Sequence, residues 1–127
     1  MPPMTEVQIR YDEPSDTLYI SFAPGEAATG LELSDHILLR VDKRTRSAIG
    51  ITLFDFSLLA QQTDLGPRSF PLPGLAKLSP ELRELAVTLL QREPVSEYLS
   101  LSAFSPTAAE TIPITILRPG MTASRAA

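Results

Sequence analysis

The chain has 127 residues, 43% of them hydrophobic and 20% charged, with 15 acidic against 11 basic side chains and a net charge of −4. That is the size of one domain and the composition of a folded one, and the acidic balance disfavours a phosphate backbone as partner. The absence of cysteine excludes disulfides, thiolate zinc sites, iron–sulfur clusters and thiol nucleophiles.

From Glu6 to Phe56 apolar residues recur at every second position, the period of a strand with one buried face. Val7, Ile9 and Tyr11 form the first set, and Leu18, Ile20 and Phe22 the second. Leu31 and Leu33 make the third, Ile37, Leu39 and Val41 the fourth, and Ile49, Ile51 and Leu53 the fifth. The connectors DEPSD, APGEAATG, SD and DKRTRS are short and rich in turn residues. Successive strands are therefore expected to pair antiparallel as a five-stranded meander over residues 5–57, apolar on one face and wetter on the other. Gly50 interrupts the fifth strand and marks a bulge or a close approach of backbone.

Residues 58–78 form a Pro-rich connector. It is expected to start with a helical turn over Ser57–Gln61 and then to pass prolines 67, 71 and 73. Its Leu65, Phe70, Leu72 and Leu75 mark it as ordered, since a solvated spacer would be polar. The cover for the sheet comes from the segment 79–93, where Leu82, Leu85, Ala86, Leu89 and Leu90 share one face of a helix spanning about 80–92. Ser79 can cap its free amides, Pro80 suits the first helical position, Glu81 and Glu84 lie near the positive end of the dipole, Arg92 lies near the other, and Pro94 stops it. Two further strands, from EYLSLSAF and ETIPITIL, are expected within 96–117. Pro113 removes a ladder donor and so assigns the last strand to a sheet edge, where a second subunit can add. The tail 118–127 should fray. The expected architecture is a single α+β domain, a mainly antiparallel sheet of about five to seven strands with one amphipathic helix.

Three groups of residues are candidates for chemistry. Asp12, Glu13 and Asp16 crowd one turn and suit a hard cation or an acid/base pair, although aspartates beside Pro14 equally bond back to their own backbone. That structural reading is preferred, and no metal or cofactor is assigned. Tyr19 should face away from Leu18 and Ile20, either partly covered by the 61–78 connector or on a binding surface. His36 is the single histidine, so a two-histidine metal site within one chain is excluded, and no G-x-S-x-G elbow supports a triad. Asp12, Asp16, Tyr19 and His36 make up the candidate ligand-binding set, with no catalytic residue assigned. Lys43, Arg44 and Arg46 are the candidate nucleic-acid contacts. They are read first as a solvated hairpin tip, because no aromatic pair accompanies them.

The segments Tyr11-Asp12, Asp16 and Leu18-Tyr19-Ile20, followed by IGITLFDFS (Ile49 to Ser57), resemble a family of short bacterial and archaeal proteins classed as a domain of unknown function. Its members open with Y-D-x-x-x-D-x-L-Y-I and close with G-I-E-I-L-D-A-S. The resemblance covers about residues 7–57; Thr52 stands where an acidic residue is usual, and Phe54 and Phe56 enlarge the closing segment. It implies a small β-rich fold and carries no activity. No apolar run approaches the ~20 residues that span a bilayer, and the start MPPMTEVQIR lacks a signal pattern, so a cytoplasmic location without membrane contact is expected. The leading functional expectation is a non-enzymatic interaction module, a homo-oligomer and specifically a dimer. It would associate through a sheet edge or through leftover apolar surface such as Leu38, Phe54, Phe56 and Leu58. The alternatives are a small ligand- or metal-binding protein or enzyme using the Asp12/Asp16/Tyr19 turn, and a nucleic-acid accessory protein using the Arg44/Arg46 turn.

Overall fold

The structure, a computed structural model, describes residues 7–23, 28–60, 62–63, 66–67, 69–107 and 110–117. The expected fraying of 118–127 lies outside the described residues, as does Leu65. The dyad pattern yields five strands: β1 (Gln8–Asp12), β2 (Thr17–Ser21), β3 (Thr29–Glu32), β4 (Ile37–Asp42) and β5 (Ser47–Leu53). Leu18, Ile20, Leu31, Ile37, Leu39, Val41, Ile51 and Leu53 point to one side and are at most 3% exposed. In β4 the alternate residues Leu38, Arg40 and Asp42 stay half-buried. Period two thus separates an inner from an outer face.

All pairings in this sheet are antiparallel, but its order is β1-β2-β5-β4-β3 and not that of a meander. β2 pairs with β5, Leu18 lying opposite Leu53 and Ile20 opposite Ile51. The reason is visible in β5, which is buried at five successive positions from Ile49 to Leu53. Its outward Gly50 and Thr52 are small and lie between larger side chains of the flanking strands, Thr52 between Tyr19 and Leu38 and Gly50 beside Arg40, an environment that only the middle of a sheet supplies. β3, with four residues and an open Gly30, takes the edge that a meander would have given to β5. Gly50 marks the expected bulge: the β4–β5 register shifts between the pairs Arg40–Gly50 and Val41–Ala48. A Cβ at Gly50 would come 2.6 Å from the Ile20 carbonyl oxygen, so the bulge needs the bare backbone.

After β5 a single turn, α1 (Phe56–Leu59), forms where a helical turn was expected. The connector then adds a two-residue ladder, β6 (Gln62–Thr63) with β7 (Gly66–Pro67), a strand β8 (Ser69–Pro71) and a 3₁₀ helix over Pro73–Lys77. β8 joins the two late strands, β9 (Leu99–Thr107) and β10 (Glu110–Leu117), in a second antiparallel sheet of order β8-β10-β9. Pro113 therefore lies on the central strand, contrary to the edge expected for it. Its carbonyl accepts from the Leu72 amide at 2.9 Å, and the donor it lacks would have met Leu72 where β8 ends. The Leu72 carbonyl turns instead to the Leu75 amide at 3.2 Å, so the missing bond falls on the last rung of the ladder.

α2 (Pro80–Leu90) is the expected amphipathic helix, with Leu85, Ala86, Leu89 and Leu90 buried. They join the same core as the inner face of the first sheet, along with Phe56, Leu59, Leu72, Leu75, Val95 and Leu99. At ~1.5 to 3 kcal/mol per buried side chain, this docking outweighs helix propensity. Arg83 fastens α2 to the 3₁₀ helix by donating to the carbonyls of Leu75, Ala76 and Leu78 at 3.0, 3.2 and 3.1 Å. Ser79 caps the helix, its hydroxyl accepting from the Leu82 amide at 3.3 Å. Ser79→Ala should lower stability by about 1 kcal/mol in urea unfolding, the usual loss for an N-cap oxygen.

Candidate functional site

The turn between β1 and β2 is built from its aspartates. Asp12 accepts from the backbone amide of Ser15 at 3.3 Å and from its hydroxyl, and the Asp16 amide closes the turn on the Glu13 carbonyl at 3.1 Å. Asp16 adopts a left-handed φ of 51°, which aspartate tolerates better than most residues. That conformation aims its carboxylate away from the turn and toward α1. It accepts from the Tyr11 hydroxyl at 2.6 Å, from the Ser57 hydroxyl at 2.9 Å and from the Ser57 amide at 3.1 and 3.2 Å. The Asp16 carbonyl also takes the Phe56 amide at 2.8 Å. Phe56 itself is fully buried with its ring 6.0 Å from that of Tyr11, and so belongs to the core and not to any leftover surface. The Asp16 carboxylate thus ties the first hairpin to the segment after β5, while that of Asp12 stays within the turn. Among the described residues no group of three His, Asp or Glu stands close enough to hold a metal ion.

His36 precedes β4 and is separated from Asp12 and Asp16 by the strands β2 and β5. Its Nδ1 lies 3.0 Å from Oδ2 of Asp55, off the line of a hydrogen bond, while its amide donates to the Ser34 hydroxyl at 3.1 Å and its carbonyl accepts from the Phe54 amide at 2.8 Å. Asp55, at φ 54°, begins α1. Beside this pair is a cleft of about 310 Å³ lined by Ser34, Asp35, His36, Leu58, Phe70, Pro71 and Pro73. Its walls are largely apolar, and its polar groups come from the β3–β4 connection. Elsewhere, burial and secondarily Glu97 raise the pKa of the Tyr98 hydroxyl, whose ring packs 5.9 Å from that of Phe22.

Tyr19 lies on the outer face of the first sheet. Cross-strand pairing sets it in a row that runs Arg10, Tyr19, Thr52, Leu38, Glu32 across all five strands. The next row is Gln8, Ser21, Gly50, Arg40, Gly30. The Arg10 guanidinium stands 4.6 Å from the centre of the Tyr19 ring, so the half-buried tyrosine is shielded by its cross-strand neighbour. Neither Tyr19 nor Leu38 is among the partly buried side chains that pack against the core, and Phe54, just past β5, is 39% exposed.

Lys43, Arg44 and Arg46 sit on the exposed β4–β5 turn, Arg46 at a φ of 55°. Asp42 accepts from the Arg44 amide at 2.9 Å and lies 3.7 Å from its Nε. A shallow cleft of about 220 Å³ between Asp42, Lys43, Arg44 and the start of β3 completes this tip.

The structure thus places Asp12 and Asp16 in one turn, Tyr19 on the outer sheet face, His36 just before β4 and the basic residues at a separate tip; the cleft beside Asp55 is lined by His36 and by none of Asp12, Asp16 and Tyr19. Sequence reasoning missed Ser57 as the partner of Asp16, and it counted Asp55 among the aspartates available to His36 without placing the two together. The signal was present, because the opening and closing motifs together contain Tyr11, Asp16, Asp55 and Ser57. Residues 8–57, less than half of the chain, match the family described as "Protein of unknown function (DUF2283)". The chain has no match among curated proteins or solved structures. No helix among the described residues is long and apolar enough to cross a membrane.

Proposed function

We propose that the chain is a non-catalytic self-association module that uses the outer face of the first sheet. The observation that carries this reading is the grouping of Tyr19, Leu38 and Phe54 around Thr52 on that face, outside the core. An exposed sheet face carrying large apolar side chains is stabilised when a second surface removes them from water. The non-catalytic side is supported by the engagement of Asp12 and Asp16 in backbone and hydroxyl bonds of their own surroundings. The free edge of the sheet is the competing surface, since β1 leaves Val7 37% and Ile9 46% exposed.

Light scattering coupled to size exclusion separates the two surfaces. The wild-type chain is expected to elute as a dimer. Leu38→Asp should weaken it at least about tenfold, or about 1.4 kcal/mol, while Ile9→Lys leaves it intact. A wild-type monomer at the highest attainable concentration, or a dimer lost only with Ile9→Lys, would refute the proposal.

A further inference from the structure

We infer that two copies of this chain pack outer face to outer face about a two-fold axis running along β5, with Arg10 of each copy opposite Glu32 of the other. This rests on the reading of the outer face as the association surface, and adds to it an orientation and the residues that select it.

The inference follows from the register. A face-to-face pair of identical sheets has its two-fold axis in the plane between them, and aligned packing keeps the strand directions within about 30°. The axis then lies either across the strands or along them. Across the strands, β1 stacks on β1 of the second copy and β3 on β3. With the axis on their row, Arg10 faces Arg10 and Glu32 faces Glu32, a like-charge juxtaposition that a specific interface excludes; midway between the two rows, it sets Arg10 against Gln8 and Glu32 against Gly30, with no countercharge for either.

Along β5 the pairing inverts, with β1 over β3 and β2 over β4. Arg10 and Glu32 occupy opposite ends of one row, on the two edge strands, and both are exposed. This axis therefore sets each of them opposite its countercharge, twice per dimer. It also sets Tyr19 opposite Leu38, a ring against a branched aliphatic side chain, again twice. In these two rows the residues that meet their own copies are Thr52 and Gly50, so no large side chain there competes with its twin for the axis. Phe54, beyond the end of β5, meets its counterpart as an aromatic pair. The stacking of Arg10 on Tyr19 already holds the guanidinium over this face before association. The face carries both signs, Arg10 and Arg40 against Asp12, Glu32 and Asp42, so that opposite charges are available on both copies.

Charge reversal tests the orientation, measured by sedimentation velocity and native mass spectrometry on the full-length chain. Arg10→Glu alone places two Glu–Glu contacts in the dimer and Glu32→Arg alone two Arg–Arg contacts. Each single variant is expected to weaken dimerisation at least about tenfold. Mixed in equal amounts, the two variants regain opposite charges at every contact, and a heterodimer of near wild-type strength should form. The double variant Arg10→Glu/Glu32→Arg should likewise dimerise with itself. Recovery on mixing cannot come from misfolded chains, which keeps the test decisive if one variant alone behaves poorly. A wild-type dimer that Leu38→Asp disrupts, but whose single charge variants do not recover on mixing, would overturn this orientation and leave the association face standing. A monomeric wild type would remove the association face itself.

Discussion

Asp16→Ala is expected to destabilise the protein by about 3 kcal/mol, with loss of cooperativity between the first hairpin and the rest of the sheet. A hydrogen bond to a charged acceptor contributes about 1.5 to 3 kcal/mol, and bonds converging on one group are not additive. Here three donors converge: the Tyr11 hydroxyl, the Ser57 hydroxyl and the Ser57 amide. The substitution also leaves alanine at a φ of 51°, which an unbranched side chain without a local acceptor adopts poorly. Two companions divide the effect. Tyr11→Phe removes one donor and keeps the ring against Phe56, so about 1 kcal/mol should be lost. Asp16→Asn keeps one carbonyl acceptor and tolerance of the left-handed region, and should fall between the two. Urea unfolding followed by tyrosine fluorescence reads all three. If Asp16→Ala unfolded within about 0.5 kcal/mol of wild type, the range of an ordinary surface substitution, the clamp would be incidental.

Gly74→Ala should be at least as harmful, at about 3 kcal/mol or more, for a reason that has no electrostatic part. A Cβ on residue 74 would fall 1.8 Å from the Glu32 carbonyl oxygen, 2.8 Å from its carbonyl carbon and 2.9 Å from that of Leu33. All three are backbone atoms of β3 and its end, and none can swing aside. The Gly74 amide meanwhile donates to the Leu33 carbonyl at 2.9 Å, so the two segments are held at contact distance. To admit a methyl group the 3₁₀ helix must retreat from the sheet, taking with it Leu72 and Leu75, which are 1% and 4% exposed. Gly30→Ala is the comparison. There the nearest atom is the Leu38 Cδ1 at 3.1 Å, the movable end of a side chain on an open face, and a change below about 1 kcal/mol is expected. Comparable losses for both glycines in urea unfolding would refute the backbone-contact explanation.

Period two located the first five strands, and the 3.6 period with Ser79 and Pro80 located α2, because each pattern is local and is enforced by burial of one face. Strand order was not legible in the same way. Short connectors favour neighbours, yet the run from Ile49 to Leu53 demanded the middle of the sheet, and burial prevailed over proximity. Pro113 was misassigned for a related reason: whether a missing donor matters depends on which rung of the ladder it would occupy, and β8 ends there. Within the acidic turn the bonds of Asp12 to Ser15 are local, but Ser57, the distant partner of Asp16, lies 41 residues away. No periodicity reports such a distance. Only the joint occurrence of the two motifs hinted at it.

The interior ladder between β2 and β5 is also a seam in the history of the chain. Either side of it can assemble from nearby segments, β1 with β2 and β3 with β4 and β5, whereas the seam waits for Leu18 to meet Leu53. Pairings between remote segments are the slow ones, since the intervening loop must close before any contact rewards it. Asp16 and Ser57 reach over the same gap, just beyond that pair. The acidic turn therefore fastens the ladder of this sheet whose two strands lie farthest apart along the chain.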